Sequence, residues 1–427
     1  MKMYQYPAKE KWTELTKRPV LQREEISETI ANIFSLVQKN GDKALLELSK
    51  KYDSAEISNI SVSNEEIEEA CAMIGEDLKK AIQQAKENIS AFHASQKEGT
   101  VKIEKTKEVI CWRENRAVEK VGIYIPGGTA PLFSTVLMLA VPAQLAGCKE
   151  IVLCTPPDKN GNVNPAILYA ARLCGVTRLF KVGGAQAIAA MALGTDSIPQ
   201  VYKIFGPGNQ YVVAAKEYAQ QYGVSIDMPA GPSEVLVIAD EKAVPEFCAA
   251  DLLSQAEHGS DSQVVFIATS LPVLKQTIRE IDEQMKKLPR NEMAQQSLNN
   301  SNFILLETIE EAIEFSNLYA PEHLILAIEN FEKYIPEVQN AGSVFLGNYS
   351  CESAGDYASG TNHTLPTNGF AKNYSGVSLD SFVKKITFQH LSEEGLKNLG
   401  KTIEIMAQAE GLAAHKNAVT IRLKQKK

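Results

Sequence analysis

The chain is 427 residues long and 44% hydrophobic, and 52 acidic residues against 44 basic ones give a formal net charge of −8 at pH 7. That length supports several domains around a sizeable core, while the acidic balance argues against general affinity for nucleic acid or acidic membranes. Seven cysteines without a C-x-x-C pair make no disulfide framework, no stretch is long and apolar enough to span a bilayer, and the polar first residues carry no leader-like apolar run, so a reduced, cytoplasmic protein is expected.

In chain order, residues 1–20 are polar and dotted with aromatics, which suits an arm lying on another part of the fold. From Glu24 the period becomes helical, with Ile26, Ile30, Ile33 and Val37 on one face and Asn40-Gly41 as the stop. Ser63 with Glu66 three residues on reads as a capping box opening a second helix. Leu78, Ile82, Ala85, Ile89 and Phe92 trace a third, ending at His93, whose reading is structural or solvent-facing. A strand is expected near 109–112.

At Val121 the character changes to alternating strands and helices. Residues 121–125 form a buried-type strand, turned by Pro126-Gly127-Gly128 into an apolar helix over 131–146 that contains Pro142. Further strands are expected at 151–154, 179–182, 204–205 and 234–239. Glycine-rich turns follow two of them, Gly183-Gly184-Ala185-Gln186 and Gly206-Pro207-Gly208-Asn209. The spacing indicates a parallel sheet with right-handed crossovers. Ligands bind outside the carboxyl ends of such strands, where glycines let backbone N–H groups approach phosphate. No intact G-x-G-x-x-G is present, so a nucleotide is suggested rather than established.

The alternation resumes with a helix from Pro245, with apolar Phe247, Leu252, Leu253 and Ala256 facing inward and Gly259 as a left-handed stop. On it Gln255 and His258, three apart, share a face about 60° wide, whereas Glu257 lies about 100° from His258. Strands near 264–268, 303–306, 324–327 and 344–346 give a second α/β layer. The stretch 349–370 reads as a functional loop, because its glycines and Pro366 forbid a long element while Asp356, Tyr357, Asn362 and His363 crowd it. A helical run at 391–410 and a last helix with His415 complete a tail too small for its own core.

Histidine occurs six times, and four of the six lie beside acids or chain breakers: Glu257-His258-Gly259, Pro321-Glu322-His323, Asn362-His363 and Glu410 with His415. Scarce imidazoles clustered with carboxylates are what metal binding or proton transfer near neutral pH requires. Glu322 and His323 at a strand entrance could serve two successive proton transfers. A salt bridge at a strand start explains that pair as well.

Val121-Gly-Ile-Tyr-Ile-Pro-Gly-Gly, Val182-Gly-Gly-Ala-Gln, Ile204-Phe-Gly-Pro-Gly-Asn, Asp227-Met-Pro-Ala-Gly-Pro-Ser-Glu, Leu253-Ser-Gln-Ala-Glu-His-Gly, Pro321-Glu-His-Leu, Ser353-Ala-Gly-Asp-Tyr-Ala-Ser-Gly-Thr-Asn-His and Ala414-His-Lys-Asn-Ala-Val-Thr, in this order over nearly the whole chain, together resemble the histidinol dehydrogenase family. The resemblance implies an NAD-linked, zinc-dependent oxidation of L-histidinol to L-histidine through L-histidinaldehyde. It implies one Zn2+ per subunit held by Gln255, His258, Asp356 and His415, with Glu322 and His323 as the catalytic pair. Ser233, His363 and Glu410 match substrate-contacting positions, alongside the four zinc positions and His323, and Tyr124, Gln186 and Asn209 match NAD contacts. The implied fold is α/β: two incomplete Rossmann-like parallel-sheet domains, aldehyde-dehydrogenase-like, with small terminal segments. The divisions are an arm at 1–20, a first domain from 21–120 and 237–375, a second at 121–236, and a helical segment at 376–427. That last segment would be exchanged in a homodimer with shared active sites, so that His415 and Glu410 reach across. A longer loop at 158–164 and Asn368 depart from the family pattern without touching a proposed ligand.

Two other readings stay open on the residues alone. One is an aldehyde dehydrogenase with Cys351 as nucleophile, and the other is a non-catalytic two-domain binding protein, which leaves the Glu322-His323 pair unexplained.

Overall fold

A computed structural model describes residues 1–18, 24–127 and 131–424; Gly128 of the first glycine turn lies outside them. The strands are β1 (Lys2–Gln5), β2 (Lys102–Ile103), β3 (Val109–Ala117), β4 (Lys120–Tyr124), β5 (Glu150–Thr155), β6 (Arg178–Lys181), β7 (Lys203–Phe205), β8 (Ser225–Ile226), β9 (Glu234–Ala239), β10 (Gln263–Ala268), β11 (Asn302–Leu305), β12 (His323–Ala327), β13 (Ser343–Leu346) and β14 (Val383–Leu391). By contact density they fall into two units, residues 1–96 with 118–382, and residues 97–117 with 383–427.

The larger unit holds two all-parallel sheets. A five-stranded one runs β6-β5-β4-β7-β8 and a six-stranded one β1-β11-β10-β9-β12-β13. Leaving out β1, both have the same winding: the first strand in the middle, the next two stacked to one side and the last two to the other. The inner strands are buried on both faces because helices cover both. In β9, Val235, Val237 and Ala239 join one core cluster while Leu236 and Ile238 join the opposite one. The arm at 1–20 adds β1 as a parallel edge strand beside β11 and buries Trp12 against Phe315, with ring centroids 5.5 Å apart.

The structure regroups three segments relative to the sequence reading. Helices Glu24–Asn40 and Asp42–Tyr52 bury Ile26, Ile30, Phe34, Val37 and Leu45 in a core shared with Val152, Phe180 and Ile204, so they cover the five-stranded sheet rather than the sheet formed after 234. Helix Glu76–Ala94 covers the other face of that same sheet through Ile82, Ala85 and Ile89, while Leu78 and Phe92, expected on the buried stripe, are exposed. Glu234 to Ala239, read as closing the first sheet, is instead the central strand of the second. Among the described residues no helix is long and apolar enough to cross a membrane.

The smaller unit is an antiparallel sheet, β14-β3-β2, with helices Glu393–Ala409 and Ala413–Lys424. These helices cross closely at Gly400, where a Cβ would stand 2.8 Å from Leu423. Residues 109–117, grouped in sequence with the first domain, pair along their whole length with β14. β14 escaped the sequence reading because six of its nine residues are exposed and none is buried, so no apolar alternation marks it.

A candidate metal and proton-transfer site

A cavity of about 820 Å³ lies between the two parallel sheets. One wall comes from the carboxyl ends of the five-stranded sheet: Pro126 after β4, Gly206 to Asn209 after β7, and Asp227 after β8. The other comes from the amino ends of the six-stranded sheet: Ser233 before β9, Ser262 before β10, and Glu322 and His323 where β12 begins. The walls therefore differ in polarity. The N-terminus of helix Gln210–Ala219 faces the first, capped by Asn209, whose Oδ1 accepts from the N–H groups of Tyr211 and Val212 at 3.1 and 3.2 Å. The C-terminus of helix Pro245–Ala256 reaches the second. A helix N-terminus favours anions and a C-terminus favours cations.

The first wall is held rigidly. A Cβ at Gly206, whose φ is +129°, would lie 2.1 Å from the Tyr124 carbonyl oxygen, so glycine is required there. The Gly206 N–H donates to Asp227 Oδ2 at 2.8 Å and its carbonyl accepts from Lys216 Nζ at 2.9 Å. Lys216 and Asp227 form a buried ion pair beneath the turn. Tyr124 and Gln186 are buried beside Gly184 and Asp53 and do not line the cavity: the Tyr124 hydroxyl accepts from the Gly184 N–H at 3.0 Å, and Gln186 Nε2 sits 3.4 Å from Asp53 Oδ2. Burial pushes the Asp53 carboxyl up to about 6.

On the second wall, helix Pro245–Ala256 ends earlier than the sequence suggested. Its last turn carries Gln255, Glu257 caps it in a right-handed conformation, and His258 follows beyond the end with its N–H on the Gln255 carbonyl at 3.3 Å. Gly259 is not left-handed, and Phe247 is exposed rather than inward. Gln255 and His258 nevertheless reach the same cavity, and Glu257 does not line it. Gln255 is completely buried, yet neither its Oε1 nor its Nε2 finds a hydrogen-bond partner among the described residues. A buried amide left that way is costly unless a ligand completes it.

The loop at 349–370 contains a short helix, Glu352–Tyr357, that the glycines concealed. Gly355 is what lets it form: a Cβ there would stand 2.7 Å from the Phe345 ring. Glu352 and Asp356, four apart on this helix, point the same way. Ligand atoms of His258, Glu352 and Asp356 lie within 4.8 Å of one another. Glu352 was not among the sequence candidates, and the i, i+4 spacing of two acids was the available signal.

His323 stands at the centre. Its Nδ1 donates to the Glu234 carbonyl at 3.2 Å and lies 3.7 Å from Glu322 Oε2 and 3.8 Å from Glu352 Oε1; its Nε2 lies 3.5 Å from Asp356 Oδ1 and has no hydrogen-bond partner. Burial opposes a charge on this ring, but the carboxylates of Glu322, Glu352 and Asp356 outweigh it and raise His323 to about 10. Burial raises Glu322 and Glu352 to about 8 each. Burial also works against Asp356, but His323 with His363 and His258 holds it ionised, below its ordinary value. Three carboxyl groups crowded round one imidazole, two of them pushed toward their neutral forms by burial, make a site where a bound cation would favour the ionised carboxylates.

His363 clasps the walls together. Its Nδ1 donates to the Asp356 carbonyl at 2.8 Å, and its Nε2 accepts from the Thr135 hydroxyl at 3.0 Å, Thr135 lying in the first turns of helix Phe133–Ala146. Burial lowers its pKa and keeps the ring neutral. Both ring nitrogens are thus occupied until a ligand displaces one partner. Ser233 lines the cavity, whereas Cys351 is exposed and does not. Glu410 and His415 belong to the smaller unit and are exposed there.

The histidinol dehydrogenase family model matches residues 16–423. The chain belongs to the histidinol dehydrogenase family. It is 59% identical over 423 residues to histidinol dehydrogenase of Bacteroides thetaiotaomicron, with 99% of each chain covered, and 53% identical over 413 residues to the chloroplastic histidinol dehydrogenase of Arabidopsis thaliana, covering 96% of this chain and 88% of that one. The crystal structure of histidinol dehydrogenase from Elizabethkingia anophelis superposes with a TM-score of 0.98 at 59% identity, over 99% of this chain and 98% of that one. Membership of the histidinol dehydrogenase family makes the chain an oxidoreductase of histidine biosynthesis, acting at its last step. The Cys351 and non-catalytic readings fall away with it.

Proposed function

We propose that the chain oxidises L-histidinol to L-histidine through L-histidinaldehyde with NAD as oxidant and one zinc ion per site, as a cytoplasmic homodimer with shared active sites. The observation that carries this reading is the second wall: a fully buried, unpartnered Gln255 carboxamide beside the His258, Glu352 and Asp356 group, with the free Nε2 of His323 next to it. An amide oxygen, an imidazole and a carboxylate make a donor set that zinc accepts. Gln255, His258 and Asp356 would hold it, with His415 supplied by the exchanged tail. When bound, zinc supplies positive charge that fixes the substrate and offsets the carboxylate field on His323, and NAD accepts a hydride at each oxidation.

The chain's own groups handle the protons. His323 takes the hydroxyl proton at Nε2 as the alcohol carbon loses its hydride, giving the aldehyde. Glu322, its carboxylate steadied by the Glu234 N–H at 2.9 Å, takes a proton from the water that adds to the aldehyde carbon; loss of a second hydride leaves the carboxylate. Alcohol, one water and two NAD thus become carboxylate, two NADH and three protons. Ser233, His363 and Glu410 contact the substrate, with His363 Nε2 exchanging Thr135 for a ligand. Asn209 and the helix it caps would hold the dinucleotide on the first wall, with Tyr124 and Gln186 supporting that wall from beneath.

Chelator-stripped protein should lose NADH formation from L-histidinol and recover it with added zinc. Full turnover by metal-free protein would remove zinc from the proposal. Mixing His415→Ala with Glu322→Ala chains should restore part of the activity if sites are shared, and no recovery would put each site within one chain.

A further inference from the structure

Both side chains of the catalytic pair hydrogen-bond the backbone of one residue, Glu234, at the start of β9. Its N–H donates to Glu322 Oε2 at 2.9 Å, and its carbonyl accepts from His323 Nδ1 at 3.2 Å. Its side chain is buried and gripped by Arg18 from the N-terminal arm, with Nε on Oε1 at 2.7 Å and Nη2 on Oε2 at 2.8 Å, a two-pronged fork. The same guanidinium donates to the carbonyls of Tyr319 and Ala320, at 2.8 and 3.3 Å, and stacks 3.8 Å over the Tyr319 ring. Ala320 is left-handed at φ +55°, a conformation a non-glycine residue keeps when its surroundings impose it, and it directly precedes Pro321, Glu322 and His323.

We propose that Arg18 is a positioning residue for Glu322 and His323. It reaches the pair from two sides at once: through Glu234, which bonds both side chains, and through the two carbonyls of the strained turn that delivers them to the cavity. Lysine cannot replace it, because a point ammonium cannot engage both carboxylate oxygens and two carbonyls from one plane. The inference rests on reading Glu322 and His323 as the proton-transfer pair.

The test uses the full zinc-loaded protein with L-histidinol and NAD. Arg18→Lys should fold and bind zinc yet lose about a hundredfold in kcat, the scale of a misplacement of about 1 Å, with the KM for NAD unchanged. Arg18→Ala leaves the Glu234 charge buried and unpaired, so the neutral double variant Arg18→Gln with Glu234→Gln keeps the question open to measurement if the single variant does not fold. It should be folded and equally slow. Adding guanidinium at millimolar concentration should restore Arg18→Ala saturably and leave Arg18→Lys unmoved, which a general loss of stability would not produce. A kcat within twofold of the parent in folded Arg18→Lys and in the double variant overturns the proposal. If Glu322→Gln and His323→Gln are also near the parent, the reading beneath it has failed instead.

Discussion

The two parallel sheets share one winding and present opposite ends to the same cavity. The five-stranded sheet offers its carboxyl ends, the edge where ligands are ordinarily found in such folds. The six-stranded sheet offers its amino ends, where Glu322, His323 and Ser233 stand just at or before their strands. The difference teaches that the edge rule is a rule about charge. Carboxyl ends lie beside helix N-termini and suit phosphates, whereas amino ends lie beside helix C-termini and suit a cation and its acidic ligands. Turned towards each other, the sheets make one cavity with an anion-favouring wall and a cation-favouring wall, which suits an anionic dinucleotide brought against a metal-held substrate.

The contrast can be broken one wall at a time. The largest effect is expected at the amino-end wall: His323→Gln should lower kcat by about 10²–10⁴-fold, the range for a positioned acid or base, with zinc content unchanged. Next comes the carboxyl-end wall. Lys216→Met strands Asp227 beneath the Gly206 turn, and breaking a buried pair costs about 3–5 kcal/mol, to be read by urea unfolding. It should also raise the KM for NAD without altering zinc content; unchanged stability would mean that the pair does not hold the turn. Gln255→Ala should weaken zinc binding by about 10–100-fold, measured by metal competition, while leaving the affinity for NAD alone.

The smallest effect is a pH dependence. His93, buried beneath the loop that carries His363, bonds Gln96 at Nδ1 and Asn362 at Nε2, and burial lowers its pKa. The unfolded chain takes up a proton on this residue near pH 6.5, and the folded one does so at lower pH. Its stabilising contribution is therefore complete above that pH and is lost as the pH falls, by at most about 1.4 kcal/mol per unit. Buried acids with raised pKa values, Asp53, Asp251, Glu322 and Glu352, act in the opposite sense. The measurement is thus the difference between parent and His93→Gln, whose unfolding midpoint should fall less between pH 7.5 and 5.5.

What was legible in the sequence followed from local chemistry. Strands 121–125 and 151–154 stood out because both faces are apolar, and the turns at 183–186 and 206–209 because glycine marks close backbone approach. Gln255, His258, Glu322 and His323 drew attention because polar groups at an element's end need a reason. What was not legible depended on partners distant in sequence. The stripe of Ile26, Ile30 and Val37 announces a buried face but not which sheet it covers, so the helices before 95 were grouped with the wrong one. β14 has no apolar face to announce it. Arg18 and Glu234 look like ordinary charges until 216 residues of chain bring them into a fork.

The central claim is that this cavity carries out both oxidations, with His323 serving the first and Glu322 the second. Counting NADH per L-histidinol consumed tests it most directly, in the zinc-loaded parent and in Glu322→Gln. The account expects two NADH from the parent, and one from the variant with the aldehyde accumulating. One NADH from the parent, or two at an undiminished rate from the variant, would contradict it.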